Sequence, residues 1–250
     1  MPTLTPFPAP ETTVDPHSNI RRVTAKRLSE SKNTAPHFYL TADLDVTALV
    51  AFRRRLKARS PGLRLSINDL VLKAVAAALR AVPDVNVSWG DDGLVQHGTV
   101  DINVAVDTPR GLLVPIVRDV DRLGLREIGD RVRALAGAAK DGSLSLDDMA
   151  SGTFTVSNLG AFDIDQFTAI ILPPQAAILA VSSTRRVVEL DPRYEEEDDH
   201  APPPPASAMR VVQRMKVTLS CDHRAIDGAV GARFLQALRD FVEEPSTMLL

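Results

Sequence analysis

The sequence predicts a layered α/β sandwich on a mixed β-sheet. Segments that alternate apolar and polar residues, such as 100–106 and 152–158, lie among segments whose apolar residues recur at helical spacing, such as 66–82 and 225–243. The two kinds interleave without the steady rhythm of a parallel βαβ sheet, which leaves a mixed sheet with helices layered on it.

Taken in order, residues 1–17 are rich in Pro and Thr with little periodicity and read as an extended arm. From Ser18, the residues Ile20, Val23, Ala25, Leu28 and Ser31 recur at helical spacing up to a break before Pro36. Phe38 to Leu44 alternates as a strand. Val46 to Lys57 is helical, with Leu49, Val50, Phe52 and Leu56 on its apolar side. Ser66-Ile67-Asn68-Asp69 opens a helix whose face is Leu70, Val71, Ala74, Val75, Ala78 and Leu79, and Pro83 ends it. Val100 to Val106 and Leu112 to Val117 are expected strands on either side of the turn Thr108-Pro109-Arg110-Gly111. Residues 124–139 make an amphipathic helix through Leu125, Ile128, Val132 and Leu135. Strands are expected at 152–158, 166–172, 176–182 and 210–221, then a helix over about 225–243 that carries Phe234, Leu235 and Leu238. Between the last two strands, the acidic and proline-rich span 189–209 reads as a solvated, partly disordered connection.

Composition narrows the function. A net charge of −3 supplies no basic field for nucleic acid, and no apolar run reaches the length of a membrane span. The single cysteine excludes an internal disulfide framework and fits a reducing compartment, so the cytoplasm, or a matrix after presequence removal, is expected. No Cys/His spacing points to zinc or another metal. Neither a Gly-x-Gly-x-x-Gly fingerprint nor a Gly-Lys-Ser/Thr loop is present.

Chemistry concentrates in two motifs. Ser220-Cys221-Asp222-His223-Arg224-Ala225-Ile226-Asp227-Gly228 sets an imidazole and a carboxylate four residues apart, where an apolar strand gives way to a turn and a helix. A neutral imidazole is the side chain best suited to take a proton near neutral pH. Cys221 lies two residues before His223, and a small buried role suits a lone cysteine better than that of a nucleophile. The second motif is Gly152-Thr153-Phe154-Thr155-Val156-Ser157-Asn158-Leu159-Gly160. Strand alternation sends Thr153, Thr155 and Ser157 to one face, a row of hydroxyls able to hydrogen-bond an oxyanion, and Phe154 and Val156 to the other.

Together these motifs resemble the catalytic domain of the dihydrolipoamide acyltransferases, the core components of 2-oxo-acid dehydrogenase complexes. The resemblance extends from about Ile20 to the end. It takes in Ile20-Arg21-Arg22, Ala25-Lys26-Arg27-Leu28, Ala35-Pro36-His37-Phe38-Tyr39, Asn68-Asp69, Thr108-Pro109, Gly111-Leu112, Pro173-Pro174-Gln175-Ala176 and Glu244-Pro245-Ser246-Thr247-Met248-Leu249-Leu250. The wording around His223 and at the C-terminus is most similar to the pyruvate, acetyl-transferring branch.

The resemblance implies a chloramphenicol acetyltransferase-like two-layer sandwich over 18–250, in trimers whose active sites lie between subunits. The trimers would build a larger cubic or dodecahedral core with peripheral dehydrogenase components as partners. It implies acyl exchange between dihydrolipoamide and coenzyme A, with acetyl-CoA as a substrate. His223 would be the general base, Ser157 of a neighbouring subunit the oxyanion donor, and Asp227 the residue that holds the histidine loop, paired with an arginine such as Arg21 or Arg22. Met248-Leu249-Leu250 would dock on a neighbouring trimer. None of the six lysines sits in the Asp-Lys-Ala setting of a lipoylated domain, so the lipoyl group is expected from another domain or protein. Leu172 and Asp163 depart from the pattern, where relatives carry a polar residue and a glycine, and leave the acyl group open. A non-catalytic scaffold, or acetylation of another small molecule, is the alternative.

Overall fold

A computed structural model of the chain describes residues 12–194 and 205–249. The first helix and strand are α1 (Asn19–Thr34) and β1 (His37–Asp45), followed by α2 (Thr47–Arg59) and α3 (Ile67–Ala81). Short strands come next: β2 (Val87–Gly90), β3 (Gly93–Gln96), β4 (Ile102–Val104), β5 (Val106–Thr108), β6 (Gly111–Leu113) and β7 (Ile116–Val117). Then follow α4 (Leu125–Asp141), β8 (Phe154–Asn158), β9 (Ala177–Leu190), β10 (Met209–Asp222) and α5 (Gly228–Glu243).

Six strands form one mixed sheet in the order β1-β10-β9-β8-β4-β7. Strand β8 runs parallel to both its neighbours, β4 and β9, while β10 is antiparallel to both β1 and β9. Apolar side chains of α2, α3, α4 and α5 cover one face, where Leu49, Leu70, Ile128 and Phe234 join Phe154, Val156, Leu179 and Leu219 in one core. The rings of Phe154 and Phe234 lie 5.6 Å apart. Helix α3 begins with a capping box: the Asp69 amide donates to the Ser66 hydroxyl at 3.1 Å and the Ser66 amide to the Asp69 carboxylate at 2.7 Å. Helix α1 takes no part in that core. It is tied to the segment 163–172 instead, the Ser31 hydroxyl donating to the Ile171 carbonyl at 2.6 Å.

Several expected elements differ. Residues 166–172 are not a strand: their partners are side chains, with the Ile171 amide donating to His37 Nε2 at 3.2 Å and Gln166 to Thr41 at 3.0 Å. The strand expected over 100–106 divides at Ala105 into β4 and β5, and the one over 112–117 divides where Pro115 lacks an amide to donate. The hairpin β2–β3 lies in a stretch assigned no structure, although Gly90-Asp91-Asp92-Gly93 is a turn signal. The expected loop 189–209 is shorter among its described residues. Strands β9 and β10 continue as an antiparallel ribbon to the pair Leu190 and Met209, and 195–204 lie outside the described residues. Of the proposed arm, 12–17 carry no regular structure and 1–11 lie outside. Met248, expected to dock elsewhere, is buried in its own chain's core. Asp163 adopts φ 56°, the left-handed region that favours glycine, which gives its departure from the pattern a physical meaning.

Candidate active site

His223 stands on a turn that leaves the end of β10. Its amide donates to the Pro36 carbonyl at 3.0 Å, and its ring lies 4.5 Å from the ring of Phe38 at a tilt of 43°. The imidazole is half exposed, at 53%. Asp227, the residue before α5, is 83% exposed, and its Oδ1 is 3.9 Å from His223 Nδ1. That separation exceeds a hydrogen bond but is short enough for the carboxylate to orient the Nδ1 side of the ring. Neither Arg21 nor Arg22 pairs with Asp227 among the described residues, and Arg22 donates to Asn19 instead. The arginine nearest in sequence, Arg224, is committed to Asp222, donating to that carboxylate from its backbone amide, Nε and Nη2.

The strand β8 motif is held by two close approaches. A β-carbon on Gly152 would stand 2.4 Å from the Asp101 carbonyl oxygen, and one on Gly160 would stand 3.0 Å from that of Ser182. Glycine is therefore required at Gly152, and at Gly160 a side chain would be tightly crowded. Phe154 and Val156 point into the helical core. Thr155 and Ser157 line a recess of about 560 Å³ on the opposite face, walled by α1, Leu112, Leu113, Met149, Ile170 and Leu172.

His223 and Ser157 do not meet in one chain. Ser157 pairs with Ala180, and Ala180 with Thr218, so Ser157 is level with a residue five positions before His223. Two strand spacings across and five residues along separate them by roughly 19 Å.

A buried polar network joins the two regions. Gln175 donates to Asn103 at 2.7 Å and to the Gly152 carbonyl at 3.0 Å, and accepts from the Thr155 hydroxyl at 2.5 Å. The next residue, Ala176, accepts the Asp222 amide at 2.8 Å. Gln175, Asn103, Asp222, Arg224, Trp89 and Phe38 are the residues that motif reasoning leaves unassigned. The signal for Asp222 and Arg224 was their place on either side of His223; the pairings of Gln175 and Asn103, which span 20 and 72 residues, carry no local signal.

Cys221 is fully buried against the helical layer, and burial pushes its thiol up to about 12, so it is an apolar packing group and not a nucleophile. Burial likewise lowers the pKa of Lys73, whose ammonium donates to the Asp121 and Leu123 carbonyls, and of His97, whose Nε2 is 2.8 Å from the Ser88 hydroxyl. Among the described residues no group of three or more His, Cys, Asp or Glu side chains is placed to hold a metal ion, and no helix is long and apolar enough to cross a membrane.

Residues 9–250 match the family described as 2-oxoacid dehydrogenases acyltransferase (catalytic domain). The chain belongs to that family. Among acyltransferase relatives, it is 51% identical over 240 residues to the dihydrolipoyllysine-residue acetyltransferase component 3 of the mitochondrial pyruvate dehydrogenase complex of Arabidopsis thaliana. The match covers 94% of this chain and 42% of that protein, so the chain spans less than half of its relative's length. The fold superposes with a TM-score of 0.83, at 33% identity and over the whole of both chains, on the dihydrolipoamide acetyltransferase of Azotobacter vinelandii, solved to investigate the role of a serine, a histidine and an asparagine in its catalytic mechanism. The cubic core of a pyruvate dehydrogenase multienzyme complex matches equally well. A chloramphenicol acetyltransferase, at 14% identity and a TM-score of 0.53, shares the fold. The chloramphenicol acetyltransferase-like sandwich expected from the sequence is the fold this acyltransferase domain adopts.

Proposed function

We propose that the chain moves an acetyl, or related acyl, group between dihydrolipoamide and coenzyme A, at sites formed between subunits of a trimer. The lipoyl group arrives from another domain or protein. The observation that carries this reading is the separation of an exposed imidazole from a recessed hydroxyl on one chain: each half of the chemistry is presented toward a different surface. Its relatives are named for this acetyl transfer, and in the Azotobacter vinelandii enzyme the histidine and asparagine named for their catalytic role are four residues apart, as are His223 and Asp227.

The steps follow from the side chains. His223 Nε2, on the side of the ring away from Asp227, takes the thiol proton of the attacking CoA or dihydrolipoamide. The thiolate adds to the thioester carbonyl, and Ser157 of the neighbouring subunit donates a hydrogen bond to the tetrahedral oxyanion. Collapse expels the other thiolate, which recovers the proton from the imidazolium. Asp227 keeps the Nδ1 side of the ring oriented throughout. We read these trimers as units of a larger core, a reading supported by the cubic core solved for a structural relative, with peripheral dehydrogenase components docking on the full protein.

The test is an assay of thioester formation from acetyl-CoA and free dihydrolipoamide, with branched acyl-CoAs in parallel. Saturable transfer from acetyl-CoA is expected, and no transfer from any acyl-CoA would leave only a scaffold.

A further inference from the structure

His223 sits between two residues that are bonded to one another. The Asp222 carboxylate, 4% exposed, receives the Arg224 backbone amide at 3.0 Å, Nε at 3.0 Å and Nη2 at 2.6 Å. The Arg224 guanidinium also lies over the ring of Trp89, 5.1 Å from its centroid. The Asp222 carbonyl accepts the amides of Ala225 and Ile226, both at 3.0 Å, which closes the turn beneath the histidine.

These contacts form a closed circuit. Trp89 belongs to β2, and Ser88 beside it bridges to Gln175; the Ala176 amide donates to the Val87 carbonyl at 3.1 Å, and the Ala176 carbonyl accepts the Asp222 amide. The path therefore runs from Asp222 through Arg224, Trp89, β2 and Ala176 back to Asp222. The His223 side chain stands beside this circuit, half exposed and against Phe38. A carboxylate this buried is costly unless well paired, and the pairing here needs a planar fork that can stack on an aromatic face. Lysine offers neither property.

We propose that Arg224 is a positioning residue for the reaction, setting through Asp222 and Trp89 the angle at which His223 meets the substrate thiol. This rests on the reading of His223 as the base. Arg224→Lys retains the charge but loses the fork and the stacking plane. Its kcat for acetyl transfer falls roughly 10- to 100-fold, the loss expected when a reacting group is misplaced by about an ångström. KM for acetyl-CoA and for dihydrolipoamide stays within about twofold of the parent, since no substrate contact is removed. Trp89→Ala lowers kcat in the same direction by less, and it tests the circuit from its outer side should an Asp222 variant fail to fold. In Asp222→Asn/Arg224→Lys the loss is no greater than in the worse single variant, because both belong to one unit.

Parent-like kcat in Trp89→Ala removes the indole from the circuit, and in Arg224→Lys it overturns the proposal. So does a raised KM with kcat intact, which would make Arg224 a substrate ligand. His223→Ala run alongside separates the two readings. If it is inactive while Arg224→Lys works at full rate, only the positioning role falls; if it keeps the parent rate, the base and its positioning fall together.

Discussion

His223 and Ser157 occupy differently built surroundings. The histidine rides on a surface turn held by a charge pair, two aromatic rings and a handful of backbone hydrogen bonds. The serine sits within the sheet, its strand paired on both sides and its glycines fitted against neighbouring backbone. A group in the middle of a sheet inherits its position from the ladder. A group beyond a strand end has no ladder, and its position must be supplied by local contacts, which is where the acid–base chemistry is assigned and where substitution should be felt most.

The comparison predicts an order of effects. His223→Ala should lower acetyl transfer by about 10²–10⁴-fold, the range for loss of a general base, as measured by steady-state kinetics; a parent-like rate removes the assignment. Ser157→Ala comes next, with a loss of about 10²–10³-fold, or about 2.7–4 kcal/mol of transition-state stabilisation. Co-assembling the two inactive variants sharpens the point. Mixed oligomers contain some interfaces with an intact histidine from one chain and an intact serine from the other, so activity returns; no recovery in verified mixed assemblies would place both residues in one subunit's site.

Smaller effects probe what joins and what lies outside the two regions. Gln175→Leu removes the partner of Thr155 and Asn103 in a buried network and should cost about 1–3 kcal/mol in chemical denaturation. An unchanged stability would mean that the network does not bind the halves together. In the ribbon, hydrogen bonds from Arg214 first, and Arg210 second, hold the Glu189 carboxyl below its usual range. A depressed acid pKa stabilises above the unfolded value, so this contribution is present above about pH 4.3 and is lost as pH falls through the folded value. Being partly exposed, it is worth at most about 1 kcal/mol. Hydrogen-exchange protection in the ribbon, taken relative to the intrinsic rate at each pH, should fall on acidification in the parent and lose that step in Glu189→Gln.

Much of this was legible in the sequence. The helices of the core layer announce themselves through apolar residues recurring at helical spacing, although α3 is buried beyond its expected face, at Leu72 and Ala76 as well, and Ser66 with Asp69 marks a start that local bonding enforces. Residues 166–172 alternate as a strand does, but alternation reports an extended chain with two different sides and says nothing of a ladder. Ser31 and His37, both distant in sequence, supply the bonds instead. The motif around His223 marks the imidazole and the carboxylate beside it, yet the arginine expected to hold Asp227 lies elsewhere and the nearer one grips Asp222. That choice depends on depth: Asp222 ends a buried strand and cannot go unpaired, whereas Asp227 is solvated.

Trp89 is the one tryptophan of the chain, and its ring faces the guanidinium next to His223. Indole emission from this protein thus originates at a single ring beside the His223 turn. A fluorimeter can follow that turn in unlabelled material, so a rearrangement around this ring is readable as a change in colour or brightness.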